Sequence, residues 1–457
     1  MATETKPDAW TLGRVWRFVG RLGPTWLAGA IAAGPATMVS LLAAGAGFGY
    51  ELLWVVVLSA VLGTVGQYLA MRLGLLTEAG IVAAVETHLG KPWAWLLVLD
   101  TVLAAGLAQL VIMKTLAEVS ATTAASAGVG TAALVDPRFW GVTWAVVLAA
   151  GLAGGGYRVA EFGAKLLVSA VVLAFVASAF LVPIDPGRAA AGLLPAIPAG
   201  VDGARVAAGV LGGAVHITLL TMQSYTVRAR GWTERDADIA TFDVVSSMLV
   251  AFGVFSLAVF LVAASVLPET GLEPGTIDEI GAARALGPVA GEYATWLFLA
   301  GLLGAAVSTL GGNTIVPPAL VADALGWEQS VEDPRYRSAL VVVALASAAG
   351  AFLEGAFFQL LVLVLAFGLV GTPFVLAVIL RLLNDPDAVA ATNSRLANLG
   401  GIAVFAVAAV LAGEFALAEL ETVTRPVSAF VVAFAGAMAL ALVGLVGATV
   451  RKRVAAD

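Results

Sequence analysis

Cysteine is absent from the chain. Disulfides, thiolate metal sites, iron–sulfur clusters and cysteine nucleophiles are therefore excluded. Histidine is almost as scarce: His88 and His216 are the only two, so no multi-histidine metal site can be built. Charge is the third shortage. Asp, Glu, Lys and Arg make up 12% of the 457 residues, against about 25% in soluble domains. Hydrophobic residues take up 60% of the chain instead. A soluble core cannot absorb that much apolar surface, so the solvent for most of this chain is lipid. The formal net charge of −7 says little, because membrane topology follows the positions of Lys and Arg rather than net charge. A glycine-rich phosphate loop is missing too; "AAGLAGGGYR" at 149–158 is too loose a match and falls at a helix end.

A spanning helix needs roughly 20 mainly apolar residues. Runs of that kind lie near 24–47, 50–72, 93–117, 139–156, 162–182, 206–229, 239–267, 289–311, 338–353, 356–382, 397–416 and 427–449. That is about twelve spans, which puts both chain ends on one side of the bilayer. Residues 1–23 are polar and basic with no cleavage signal, and read as a retained cytoplasmic tail. With this end inside, the only basic residues of the 24 that face outward are Lys114, Arg138, Arg188, Arg205, Arg284 and Arg425. The bias predicts a multi-pass protein of the cell membrane with both termini cytoplasmic, residues 450–457 forming the second tail. The longest loops, 183–205 and 268–288, have room for small helices but not for a soluble domain.

Two spans carry features that a lipid-facing helix does not need. Gly34-Pro35 falls near the middle of the first. Proline removes an N–H and disturbs the preceding turn. In hydrocarbon, unpaired backbone is tolerated only against protein or a water-filled cavity. A proline kink is common in membrane helices, so this feature alone leaves kink and functional break open. The second segment, "VAAGVLGGAVHITLLTMQSYTVRAR" at 206–230, contains Gly212, Gly213, His216, Thr218, Thr221, Gln223 and Ser224. It lies five spans after the first. Interrupted segments at matching places in two halves point to the binding site of a secondary transporter. The spacing predicts an all-α integral membrane fold with a 5+5 inverted repeat and broken helices 1 and 6. The first repeat is 24–182, the second 206–382, and 397–449 adds two further spans.

The chain also resembles the NRAMP family of proton-coupled divalent-metal transporters, whose architecture is the LeuT fold. The resemblance is carried by "LGPTWLAGAIAAGPAT" at 22–37, "AGAGFGYELLW", "QYLAMRLGLLTEAG", "GGYRVAEFGAKLLV", "PGRAAAGLLPAIPAG" and "QLLVLVLAFGLVGTPFVL", in that order over residues 14–385. It implies transport by alternating access. It also implies departures at the metal site. The family's Asp-Pro-Gly-Asn falls on Gly34-Pro35-Ala36-Thr37, so the metal-binding aspartate is replaced by glycine. Its Met-Pro-His falls on Ile217-Thr218-Leu219, so thioether and imidazole are both lost. The acidic pair of the third span falls on Gly106 and Gln109, and a glutamine of the tenth on Leu365.

Divalent cations need carboxylate, imidazole or sulfur ligands. The matched positions offer backbone carbonyls and the hydroxyls of Thr37, Thr218 and Thr221. Desolvating an ion without a compensating charge is very costly. With the carboxylate gone, the N-termini of the two half-helices leave positive potential unneutralised. The expectation is a secondary carrier for a small solute or ion, its site formed by Gly34, Ala36, Thr37, His216, Ile217, Thr218 and Thr221, and not an ordinary manganese or iron carrier. One alternative is a divalent-cation carrier using backbone carbonyls, Thr37 and His216; another is a transport-inactive scaffold or sensor. His216 reads first as a neutral imidazole bonded to unwound backbone, with a ligand or proton relay as the alternative. Asp100, an ionisable group at membrane depth, is a second candidate for proton coupling. Convergent acid, base and nucleophile groups are lacking, which argues against an enzyme, and no repeated pore loop or charged ring suggests a channel. No cofactor, bound metal or nucleic-acid partner is expected; the partners are the solute and the lipid bilayer.

Overall fold

The computed structural model describes residues 34–128, 131–154, 157–268 and 279–454. The N-terminal tail, the first half of span one and the last residues of the C-terminal tail lie outside these. Among the described residues the chain is helical. The helices are α1 Pro35–Phe48, α2 Leu53–Thr77, α3 Ile81–Leu89, α4 Lys91–Ser126, α5 Pro137–Gly154, α6 Tyr157–Ala179, α7 Pro186–Ala191, α8 Val201–Val215 and α9 Ile217–Ala229. They continue with α10 Ala237–Val245, α11 Gly253–Val266, α12 Glu279–Ala283, α13 Gly287–Ala290, α14 Ala294–Leu325, α15 Pro334–Ala346, α16 Phe357–Val370, α17 Thr372–Leu383, α18 Arg395–Leu420 and α19 Pro426–Val454. Helices dominate because every backbone group in hydrocarbon must be paired within its own segment.

Boundaries follow from local chemistry. Pro35 opens α1 behind an extended Gly34 (φ −61°, ψ 173°), where its missing N–H costs nothing. Asp185, Ser394 and Asp333 cap α7, α18 and α15 through their side chains. Gly326, in the left-handed region at φ 66°, closes α14. The eighth span, expected over 289–311, instead belongs to a helix that runs on to Leu325 through Pro317 and Pro318. Hydropathy marks where a helix is apolar, not where it ends. The ninth, expected over 338–353, is α15 followed by a tight turn at Ser347–Phe352. The loops at 183–205 and 268–288 hold α7 and the short helices α12 and α13.

Burial separates centre from periphery. In the span Phe357–Leu383, 89% of the most apolar stretch is buried, and in Asp202–Ala229 78%. The corresponding shares are 33% for Arg395–Leu420 and 17% for Pro426–Ala448. The centre is therefore α1, α8, α9, α16 and α17, wrapped by α2, α4, α11 and α14. The last two helices attach at one side. Their tie is a buried carboxylate: Glu419 accepts from the Arg205 guanidinium at the start of α8 and from Ser428 Oγ at 2.6 Å.

Candidate functional site

The chain between α8 and α9 leaves the helix at one residue. His216 is extended (φ −53°, ψ 138°), while Val215 ends one helix and Ile217 begins the next. The imidazole repairs part of the break. Its Nδ1 accepts from the Thr218 backbone N–H at 3.3 Å and lies 2.8 Å from Thr218 Oγ1. His216 thus caps α9 with its own ring. Because Nδ1 is the acceptor, the neutral ring carries its proton on Nε2. That nitrogen is buried and turned toward Gly368 of α16, where any side chain would collide with the ring.

The start of α1 meets this break. A Cβ on Gly213 would come within 2.8 Å of Thr37 Oγ1, so only glycine lets α8 approach Thr37 this closely. A cavity of about 110 Å³ opens beside the contact. Its wall takes Gly34, Ala36 and Thr37 from α1, and Gly213, His216, Thr218 and Leu219 from the α8–α9 break. Ala108 and Ile112 of α4, Thr309 and Asn313 of α14, and Val364 and Leu365 of α16 complete it. Among the described residues, no Asp, Glu, Lys or Arg lines this cavity, and no cluster of three or more His, Cys, Asp or Glu suited to a metal ion occurs. Hydroxyls, one imidazole, one amide and helix ends supply its polarity.

Of the residues expected to form the site, Gly34, Ala36, Thr37, His216 and Thr218 line the cavity, and Ile217 and Thr221 do not. Ile217 is fully buried elsewhere. The Thr221 hydroxyl turns back along its own helix to the carbonyls of Ile217 (2.9 Å) and Thr218 (3.2 Å), so it has no proton left for a solute. Asp100 stands apart from the cavity, about two helical turns before Ala108 on α4. It is 1% exposed, and neither carboxylate oxygen has a partner among the described residues.

The wall contributed by α14 was not read from the sequence, and on α16 only Leu365 was, as the position matched to the family's tenth-span glutamine. The signal on α14 was Asn313, a polar residue in an apolar span. Its Nδ2 donates to Ala105 O at 2.8 Å and Gln109 Oε1 at 3.0 Å. Gln109 in turn donates to Thr314 Oγ1 at 2.6 Å. This buried amide and hydroxyl seam fastens α4 to α14. Lys114, further along α4, pairs with Glu118 and donates to Leu353 O at 2.8 Å, so it is satisfied without contributing to the cavity.

Comparison with known proteins agrees with this architecture. The family model "Natural resistance-associated macrophage protein-like" (Nramp) matches residues 25–418. A divalent metal cation transporter MntH of Yersinia pestis is 30% identical over 312 residues, covering 65% of this chain and 72% of that protein. An MntH of Aeromonas hydrophila is 28% identical over 317 residues, with the same coverage. Among solved structures, a manganese transporter of Eremococcus coleocola superposes with a TM-score of 0.66 at 15% identity, covering 97% of this chain and 96% of that one. MhsT in complex with L-phenylalanine gives 0.57 at 15% identity over 86% of this chain and 98% of that one. At these identities the structural likeness establishes the fold, which is LeuT-type. Taken with the family match over most of its length, it makes the chain a member of the Nramp family of membrane transporters.

Proposed function

We propose that this protein is a secondary carrier that moves a small neutral or anionic solute through the cavity between α1 and the α8–α9 break. The observation that carries the reading is the wall itself: thirteen positions among the described residues, from five segments, without one carboxylate. A divalent cation entering it would lose its hydration shell and gain no compensating charge. The solute instead meets the N-termini of α1 and α9 and the side chains of Thr37, Thr218, Thr309 and Asn313. A volume near 110 Å³ suits a solute of a few heavy atoms. The positive-inside bias places both chain ends in the cytoplasm.

A second reading has a specific observation in its favour. The relatives named above are divalent metal cation transporters, and His216 is the one nitrogen ligand on the wall. Thermal unfolding of the purified protein separates the two. A ligand at 100 times its Kd stabilises by about 2.7 kcal/mol, a shift of a few degrees. The expected outcome is no shift with millimolar manganese and a saturable shift with one member of a panel of small anions and neutral polar solutes. A manganese shift that is lost in His216→Ala overturns the reading in favour of the metal carrier. No shift with any solute, together with no counterflow in proteoliposomes, favours a transport-inactive protein.

A further inference from the structure

Asp100 has no role in the cavity, yet its surroundings are built for it. The carboxyl group packs against Gly371, the single residue between α16 and α17, where any side chain would collide with both oxygens. The junction is a weak point in the helix. Pro373 has no N–H, and its ring opposes the carbonyl four residues back. Thr372, beside it, ties the joint to its neighbour: its hydroxyl lies 3.1 Å from Gly368 O and 2.8 Å from Val215 O. Val215 is the last residue of α8, immediately before the extended His216. One joint therefore touches Asp100 on one side and the α8–α9 break on the other.

Among the described residues, the environment of Asp100 supplies no counter-charge. On α4 itself and on the elements packed against it, Lys91 faces Glu86 and Lys114 faces Glu118. Asp323 accepts from the Tyr225 hydroxyl, while Arg138 and Arg228 are exposed. His88 is half-buried in the last turn of α3. On α17, Arg381 pairs with Asp385 at 2.8 Å. The His216 ring sits against Gly368, about one helical turn along α16 from the Asp100 seat. An ionised carboxylate with neither counter-charge nor hydrogen bond is the costliest occupant such a seat could have; a neutral carboxylic acid fits it.

We propose that Asp100 is a proton-binding site that latches the α16–α17 joint. Protonated, it rests on Gly371 and holds α4 against the joint. When the proton passes to water, the carboxylate needs hydration, the joint parts from α4, and the Thr372 bond carries the movement to the α8–α9 break. The cargo does not enter this argument, so its identity does not affect the test.

Two measurements on the full chain in nanodiscs test the proposal. Infrared difference spectra of the native protein minus D100N are expected to show a protonated carboxyl stretch at neutral pH. Gly371→Ala, which crowds the seat, is expected to shift or remove that band. No such band in the native protein overturns the proposal. A carboxylate signal that responds to sodium instead of pH overturns it in favour of a metal cation. Because the chain has no native thiol, a single Ala108→Cys reports access to the cavity by a membrane-impermeant methanethiosulfonate. The ratio of its labelling rate with Asp100 intact to its rate in the D100N background is expected to change about fivefold or more between roughly pH 5 and pH 9. A constant ratio sinks the latch even if the infrared band is present.

Discussion

His216 performs two tasks that are usually divided. It is the residue where the helix stops, and its ring caps the helix that restarts. The second task depends on Gly368, which leaves room for the imidazole. Gly368→Ala places a methyl in that space. Overpacking a well-packed core costs about 1–3 kcal/mol, so the melting temperature is expected to fall by a few degrees. If the ring yields instead, its bond to the Thr218 N–H breaks, and the amides at the start of α9 should exchange faster with deuterium while those of α8 do not. Unchanged stability and unchanged exchange would mean that the ring is not held by this packing. His216 and Thr37 were legible in the sequence because a polar residue in an apolar span has few innocent explanations. Thr221 was legible as polar but not as self-satisfied, since a threonine hydroxyl turned back on its own helix is indistinguishable in sequence from one facing a solute.

Helix ends outside the lipid obey soluble-protein rules and give a pH-dependent expectation. Asp333 caps α15, accepting from the Arg335 N–H at 2.8 Å and pairing with the Arg335 guanidinium at 2.7 Å. The guanidinium hydrogen bond, foremost, holds its carboxyl down at about 2, below the usual carboxylate range. A depressed folded-state value means that the stabilisation is fully present above the unfolded value and fades as pH falls from about 4 toward 2. Amide exchange at Arg335, Tyr336 and Arg337 should therefore lose protection over that window in the native protein. In Asp333→Asn it should be weaker at neutral pH and nearly flat with pH. Parallel curves in the two proteins would remove the cap from the account of how α15 starts. At this scale the existence of most helices was readable from hydropathy. The length of α14 was not, because Gly311-Gly312-Asn313 and Pro317-Pro318 read as breakers although the helix runs through them to Leu325.

Across the whole molecule, the distribution of basic residues predicts a direction. Arg235 follows α9 and Ala190 lies in α7, and both are exposed. Single cysteines at these places, in a chain with no native thiol, should respond oppositely in intact cells. Ala190→Cys is expected to react with an impermeant maleimide and Arg235→Cys only after permeabilisation. The reverse pattern would invert the topology. The buried share of each span also sorts the helices into a central transport unit and two lateral ones. The sequence had placed the lateral pair last, but it gave no hint of the Glu419 carboxylate, which ties both to α8 through Arg205 and Ser428.

By itself the sequence determined the solvent, the approximate number and order of the spans, the two places where helix breaks were to be sought and the absence of a metal-binding carboxylate at the matched positions. These are local or compositional properties: apolar run length, proline and glycine chemistry, and residue identity. Only the tertiary structure decided which polar groups face a common space and which turn away. It brought Thr309, Asn313 and Val364 to the cavity wall, and it seated Asp100 of α4 on Gly371, far along the chain. The physical reason is that membrane helices meet through small residues whose partners are set by close packing between distant spans, and no periodicity within one span records which neighbour its glycines admit.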